Sequence, residues 1–361
     1  MTREASAGAQ PRGGHAVVFG GAGFIGSNVA HRLLREGRRV LVFDSLARPN
    51  VELNLRWLKQ LHGDLLTMEV GDVRDASAVR AAVRGAAQVY HFAAQVAVTT
   101  SLVDPVEDFG VNSWGTLNVL EAVRAQDEPP GLVFTSTNKV YGGLPDVELA
   151  RHGKRYVPLD PALRASGISE QRPLEFESPY GCSKGCADQY VMDYARTFGI
   201  PAVVFRMSCI YGPRQFGNED QGWVAHFLIR ALEGGPISLY GDGLQVRDVL
   251  FVDDLVEAVL LAQDNLDDLS GQAFNMGGGP ERTVSLLELL DHIERLRGRR
   301  TPVRFEDWRP GDQRYYVSDT RRFQAATGWR ARIGVEDGVR RLHDWLRALG
   351  GATPEVSASA G

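Results

Sequence analysis

A chain of 361 residues, 43% hydrophobic and 24% charged, has room for one large or two ordinary domains and the make-up of a soluble globular protein. Its formal charge is −5 at pH 7 and it has no basic run, which argues against a nucleic-acid partner. No apolar run approaches membrane-spanning length, and Met1 to Gly14 lacks the apolar centre of a secretion signal, so residues 1–14 and 350–361 are expected to be disordered ends of a cytoplasmic protein with no membrane partner.

Ala16 to Phe19 is a short apolar run that leads into Gly20-Gly-Ala-Gly23-Phe24-Ile25-Gly26. A helical pattern follows to Glu36, closed by Gly37, and a second apolar run, Val40 to Phe43, ends in Asp44. Strand, glycine turn, helix and strand form the setting in which such glycines mark a dinucleotide site. Gly20 permits the tight turn, Gly23 lets a pyrophosphate approach the backbone, and Gly26 lets helix and strand pack closely, with the phosphates at the helix N-terminus. Asp44 can accept bonds from a ribose hydroxyl and would repel a 2′-phosphate, which favours NAD over NADP. Arg48, nearby in sequence, is a residue type that could accommodate that phosphate.

The alternation continues. Leu66 to Val70 reads as a strand running into Gly71-Asp72-Val73, and Asp75 starts a helix that ends near Gly85. Gln88 to Phe92 is the next strand, followed by Ala93, Ala94 and Gln95. A long helix is expected from about Val106 to Arg124 with Asn112 inside it, and after Pro129-Pro-Gly131 comes a fifth strand, Leu132 to Ser136. Strands alternating with helices predict an α/β fold, a Rossmann-type doubly wound parallel sheet with a smaller C-terminal α/β substrate lobe. Ligands in such sheets lie at the carboxyl ends of the strands, where Asp44, Asp72, Ala93 to Gln95 and Thr137 all fall. His91, just before one such end, is expected to be a core or supporting histidine.

Ser178-Pro-Tyr-Gly-Cys-Ser-Lys184 opens a helix running to Phe198, with Pro179 suited to the first turn. Tyr180 and Lys184 are four apart and share a face. An ammonium near a phenol favours the phenolate and makes a general base or acid for a hydroxyl proton. Cys182, Cys186 and Cys209 form no disulfide framework or metal set and are expected to be small buried fillers.

The segment between Tyr141 and Ser178 is polar, contains Pro145, Pro158, Pro161 and Pro173, and reads as a flap by a substrate cleft. Ala202 to Met207 is another strand of the sheet. Val249 to Asp254 is expected to rejoin that sheet, Leu255 to Gln263 to be a helix, and Gln272 to Met276 a strand. Leu286 to Leu296 and Val335 to Leu349 have helical patterns. The expected division is therefore 15–207 for the nucleotide-binding domain, completed by segments near 247–276, with 208–246 and 277–349 as the substrate lobe.

These blocks together resemble the extended short-chain dehydrogenase/reductases. The resemblance rests on Gly20 to Gly26, Gly71-Asp72-Val73, His91 to Ala94, Thr137 through Gly142, and Tyr180 with Lys184. It implies that Thr137, Tyr180 and Lys184 act together on a substrate oxygen. It also implies that NAD is held by Gly20, Gly23, Phe24, Ile25, Gly26, Asp44, Asp72, Val73, Ala93, Ala94, Gln95, Asn112, Tyr180 and Lys184. A narrower likeness, through Ser136 to Gly142, Ser178 to Gly185, Asp220 to Val224 and Gln245 to Leu250, is to the CDP-paratose 2-epimerases.

That likeness implies a nucleotide-sugar partner, tightly bound and recycled NAD, and a homodimer or homotetramer. Arg247 and Arg309 match arginines that approach a diphosphate, Gln221, Trp223, Leu239 and Tyr240 match segments that approach the base, and Thr137 and Asn138 would face the sugar. Nucleotide-sugar 4,6-dehydratases carry Asp-Glu after the reactive threonine. Here those positions are Asn138 and Lys139, so elimination is disfavoured and removal and return of a hydride at C2 is expected. A 4-epimerase or other oxidoreductase of the same fold is the alternative. A non-catalytic NAD-binding sensor is a third reading, opposed by the intact Thr137, Tyr180 and Lys184.

Overall fold

The computed structural model describes residues 14–309 and 311–351. The expected leader and tail fall almost wholly outside them, although the last helix, Val335–Gly351, enters the stretch read as tail.

Seven parallel strands form the central sheet, in the order Gln272–Met276, Ala202–Met207, Gly131–Thr137, Ala86–His91, His15–Phe19, Val40–Asp44, Leu66–Val70. The β-branched runs suit strands buried on both faces. Side chains alternate as a pleat requires. Ala16 and Val18 join one core with Val42, Tyr90, Val133 and Val203, while Val17 and Phe19 join the opposite core with Phe43, Val89, Phe134 and Val204. His15–Phe19 lies between Val40–Asp44 and Ala86–His91, so the strand order reverses there, and the crevice at that point opens at the carboxyl ends.

The helix Ser178–Phe198 has Pro179 in its first turn, as its sequence predicts, and packs on the strands Gly131–Thr137 and Ala202–Met207. A buried ion pair fastens it: Arg206 Nε and Nη2 each donate to Asp188 at 2.9 Å, and Arg206 Nη1 reaches Tyr141 Oη at 3.2 Å. Tyr141 Oη in turn donates to Asn275 Oδ1 at 2.7 Å, linking that helix to the seventh strand.

The strand expected to rejoin the main sheet does not. Val246–Phe251 instead centres a separate sheet, parallel to Cys209–Tyr211 and Tyr315–Tyr316 and antiparallel to Thr283–Ser285. The reason is which edge is free: Gln272–Met276 occupies the edge of Ala202–Met207, whereas Cys209–Tyr211 has left that sheet and pairs with Val249–Phe251. The polar 142–178 segment is also more ordered than its composition suggests. It contains a hairpin, Leu149–His152 with Arg155–Pro158, and a short helix, Pro161–Ser166, above a small core of Val140, Tyr141, Leu144, Ile168 and Tyr316.

Candidate functional site

The glycine turn has the shape its sequence implies. Gly20 has φ +73°, and a Cβ there would lie 2.6 Å from Ala93 N on the neighbouring strand end. A Cβ on Gly26 would lie 2.2 Å from Gly20 O, so only glycine lets helix Phe24–Arg35 pack this closely on the turn. Gly23 caps that helix without any side-chain acceptor, and its first turn carries no acidic residue. The orphan N–H groups of the helix start are thus left for an anion. Asp44 ends its strand with Oδ2 accepting from Ala22 N at 3.0 Å and Oδ1 from Leu46 N at 2.9 Å. Burial pushes its carboxyl upward, while those backbone N–H groups and Arg48 pull it down.

One continuous cleft runs from this turn along the strand ends to the start of the Ser178 helix. Gly20, Gly23, Phe24, Ile25, Gly26, Asp44, Asp72, Val73, Ala93, Ala94, Gln95, Thr137, Tyr180, Lys184 and Gln221 all line it. Ser136 and Gln215 line it too, and Ser136 Oγ and Gln215 Oε1 are buried without a hydrogen-bond partner. A glycine cradle, an uncapped helix start, a strand-end carboxylate and unpartnered buried oxygens fit a dinucleotide.

Asn112 does not line this cleft. It is buried in a π-helical turn, Gly110–Trp114, that interrupts the expected long helix. Its Oδ1 accepts from Gln95 N at 2.9 Å, and its amide donates to Asp108 at 3.1 Å and to Ser183 Oγ at 3.0 Å. Asn112 therefore positions a cleft residue from behind. The same layer steadies the tyrosine, since Tyr180 N donates to Ser101 Oγ at 3.1 Å. His91 is fully buried, with Nε2 3.0 Å from Thr116 Oγ1. Burial, with a smaller contribution from Lys184, pushes it down to about 3.

Tyr180 and Lys184 share one helix face and both line the cleft, but their electrostatics differ from the simple pairing. Lys184 Nζ donates to Thr135 O at 2.7 Å and lies 4.4 Å from the centre of the Phe134 ring. Burial pushes Lys184 down to about 7, against the pull of Asp188 and Asp108. Burial likewise raises Tyr180 to about 12, with the Thr137 hydroxyl and Arg48 acting the other way and Asp108 with it. Desolvation thus outweighs the lowering expected from the helical spacing. Tyr180 stands here as a neutral phenol.

The residues expected at the substrate do not all come together. Gln221 is in the cleft and accepts from Arg48 Nη2 at 2.9 Å across its mouth. Tyr240 and Arg309 meet beyond it, with the guanidinium 3.7 Å from the ring centre and Arg309 Nη1 donating to Glu219 O at 3.1 Å. Arg247 is buried and paired through Nη2 with Asp312 at 2.7 Å.

Leu239 and Trp223 belong elsewhere. Leu239 is fully buried in the core because its strand, Ile237–Tyr240, alternates and pairs with Val303–Glu306, and Trp223 packs on that core with Nε1 3.3 Å from Cys209 Sγ. Cys182 is exposed rather than a buried filler, since its position on the helix faces away from the sheet. Asn138 is buried and holds Gln313, a partner 175 residues away that no local signal announces.

Residues 16–277 match the model of the NAD dependent epimerase/dehydratase family. The chain is 40% identical over 345 residues to a CDP-paratose 2-epimerase from Salmonella typhi, covering 92% of this chain and 99% of the relative. It is 33% identical to a dTDP-glucose 4,6-dehydratase from Streptomyces antibioticus, covering 92% of each. Among solved structures, the Thermus thermophilus UDP-glucose 4-epimerase in complex with NAD superposes with a TM-score of 0.78 at 34% identity, covering 94% of this chain and all of that one.

Proposed function

The chain belongs to the NAD dependent epimerase/dehydratase family, and we propose that within it the protein is a nucleotide-sugar 2-epimerase, acting on CDP-paratose or a close analogue through a transient 2-keto sugar. The observation that carries this reading is the pair after Thr137. Asn138 and Lys139 are not carboxylates, and both are committed to hydrogen bonds, Asn138 Nδ2 to Gln313 at 3.0 Å and Lys139 Nζ to Gly311 O at 3.2 Å. Expelling water from a sugar needs an acid and a carbon base at this place. Inverting a carbinol carbon by removing and returning its hydrogen needs neither. The identity to the Salmonella typhi enzyme supports C2 as that carbon.

Gly20 to Gly26 and the uncapped helix start would hold the pyrophosphate of NAD, and Asp44 its adenosine ribose. Held there, NAD would supply a hydride acceptor and donor for the sugar carbon and a positive ring charge in the cleft. Tyr180, as the phenolate that the charge of the loaded cleft would favour, takes the proton of the reacting hydroxyl and gives it back to that oxygen when the inverted alcohol forms, while Thr137 bonds the same oxygen. Lys184, which lines the same cleft, would bond the nicotinamide ribose and, as its ammonium, favour the phenolate once the ligands are bound. Because the net redox change is zero, the cofactor stays in the protein between turnovers.

Gln221 in the cleft, the Arg309–Tyr240 pair and the buried Arg247 would suit a nucleoside diphosphate. Exposed Leu102, Val103, Val106, Phe109 and Trp114, with Tyr190 and Phe198 on the neighbouring helix, support a second copy docking on this face. No helix among the described residues is long and apolar enough to cross a membrane.

The experiment is a panel of CDP-, GDP-, UDP- and dTDP-hexoses with product identified by NMR. Inversion at C2 of a CDP-hexose is expected. Inversion at C4 would favour the reading as a 4-epimerase, which the likeness to the Thermus thermophilus enzyme supports.

A further inference from the structure

Thr137 sits at the head of a directed chain of hydrogen bonds. Its hydroxyl donates to Asn138 Oδ1 at 3.3 Å and accepts from Lys139 N at 3.2 Å. Asn138 Nδ2 donates to Gln313 Oε1 at 3.0 Å, and Gln313 Nε2 donates to Gly142 O at 2.6 Å. Asn138 and Gln313 are both buried, Gln313 completely. A backbone carbonyl can only accept, so Gly142 O fixes which end of Gln313 is the amide nitrogen. Gln313 Oε1 then fixes Asn138 Nδ2 toward itself, and Asn138 Oδ1 must face the threonine. Lys139 Nζ, bonded to Gly311 O, anchors the same segment two residues earlier.

The direction of this chain matters because a threonine hydroxyl has one proton to give. While the reacting sugar carbon carries an alcohol, the substrate O–H is itself a donor, and Thr137 needs only to accept. Once that proton has passed to Tyr180 and the oxygen has become a carbonyl, it has no hydrogen and two lone pairs. Tyr180 can then fill one. The other calls for a second donor, and Thr137 can supply it only by turning its hydroxyl away from Asn138. The long 3.3 Å contact is a resting partner weak enough to leave.

We infer that Asn138 and Gln313 are positioning residues that park the Thr137 hydroxyl proton during the alcohol state and release it to the keto oxygen. Asn138, at one of the two acid–base positions of the dehydratases, thus serves the reaction through Thr137, without exchanging a proton itself. In its choice of carbon this rests on the 2-epimerase reading, but the relay touches the Thr137 hydroxyl whichever carbon reacts.

The test uses the NAD-loaded full chain and four measurements on each variant: folding by circular dichroism, kcat, KM, and the fraction of nicotinamide held reduced during turnover, read by its near-ultraviolet absorbance. Asn138→Asp presents a carboxylate that grips the Thr137 proton more tightly and repels Gln313 Oε1. It should lower kcat about tenfold or more with KM nearly unchanged, and lower the reduced fraction. Asn138→Leu leaves the proton with no resting partner and should raise the reduced fraction. Opposite shifts from two substitutions at one position are what a merely structural role would not produce. Gln313→Glu removes the donor to Gly142 O and carries the same test through a residue that never meets the threonine. It should lower kcat with KM unchanged.

Equal shifts of the reduced fraction in both Asn138 variants, or wild-type kcat in Asn138→Asp and Gln313→Glu, would overturn the inference. Product NMR on the wild-type protein reports which carbon inverts. Failure of the 2-epimerase reading therefore appears there, and failure of the relay only in the variants.

Discussion

Lys184 and Tyr180 lie one helical turn apart, yet the Lys184 ammonium donates to the carbonyl oxygen of Thr135 at 2.7 Å. The phenol is left to burial, which holds it at about 12. Charge that favours the phenolate must therefore build up in the cleft when the ligands enter, and both partners are needed for it. Tyr180→Phe should fold normally and retain NAD while losing on the order of 10²–10⁴-fold in kcat. Lys184→Met should lose activity and also hold NAD less tightly, measured as cofactor released on dialysis. Full activity in Tyr180→Phe would contradict the role given to the phenol.

Gly26→Ala tests the cofactor cradle. The added methyl would meet Gly20 O at 2.2 Å, a backbone atom that cannot swing aside. Either the helix Phe24–Arg35 moves off the turn or the turn opens. A loss of about 1–3 kcal/mol by urea unfolding is expected, together with purification of the protein largely free of NAD. Gly37→Ala is a contrast, since its Cβ would meet open space and only its φ of +77° is strained. It should weaken folding with little effect on cofactor content.

His91 gives the protein an acid limit. Its folded pKa is depressed, from 6.5 to about 3. The stability it contributes is full above the unfolded value and is lost as pH falls from 6.5 through 3, because the unfolded chain takes up the proton first. Between about pH 7 and about pH 4 the loss is on the order of 3 kcal/mol. His91→Phe, between Phe19 and Phe134, should flatten that part of the curve in urea titrations at the two pH values.

Asp188→Asn removes the carboxylate that receives both arms of Arg206 in the core. An unpaired guanidinium at that depth should cost about 3–5 kcal/mol. The Ser178 helix is the element it fastens, so hydrogen exchange should quicken first between residues 178 and 198.

Much of this is legible in local residue patterns. Short apolar runs, punctuating glycines and the four-residue spacing of Tyr180 and Lys184 are local signals, and local geometry answers them. What stays hidden depends on distant partners. Val246–Phe251 joins a different sheet because another strand holds the edge it was expected to use. Leu239 faces the core because its strand's alternation is set against Val303–Glu306. Asn138 reads as a substrate contact, yet its amide is held by a glutamine 175 positions away. The acidity of Tyr180 departs from its spacing for a related reason. Spacing reveals a neighbouring charge, but only the assembled core reveals how much water has been removed.

The fate of a single hydrogen tests the central claim most directly. A nucleotide sugar carrying deuterium at C2 would be turned over in ordinary water and its product examined by NMR. Hydride removal and return predicts that the deuterium stays on C2 of the inverted sugar. Loss of the label to solvent, with ordinary hydrogen in its place, would mean the carbon gives up a proton, and Thr137, Tyr180 and Lys184 would then be serving a different reaction.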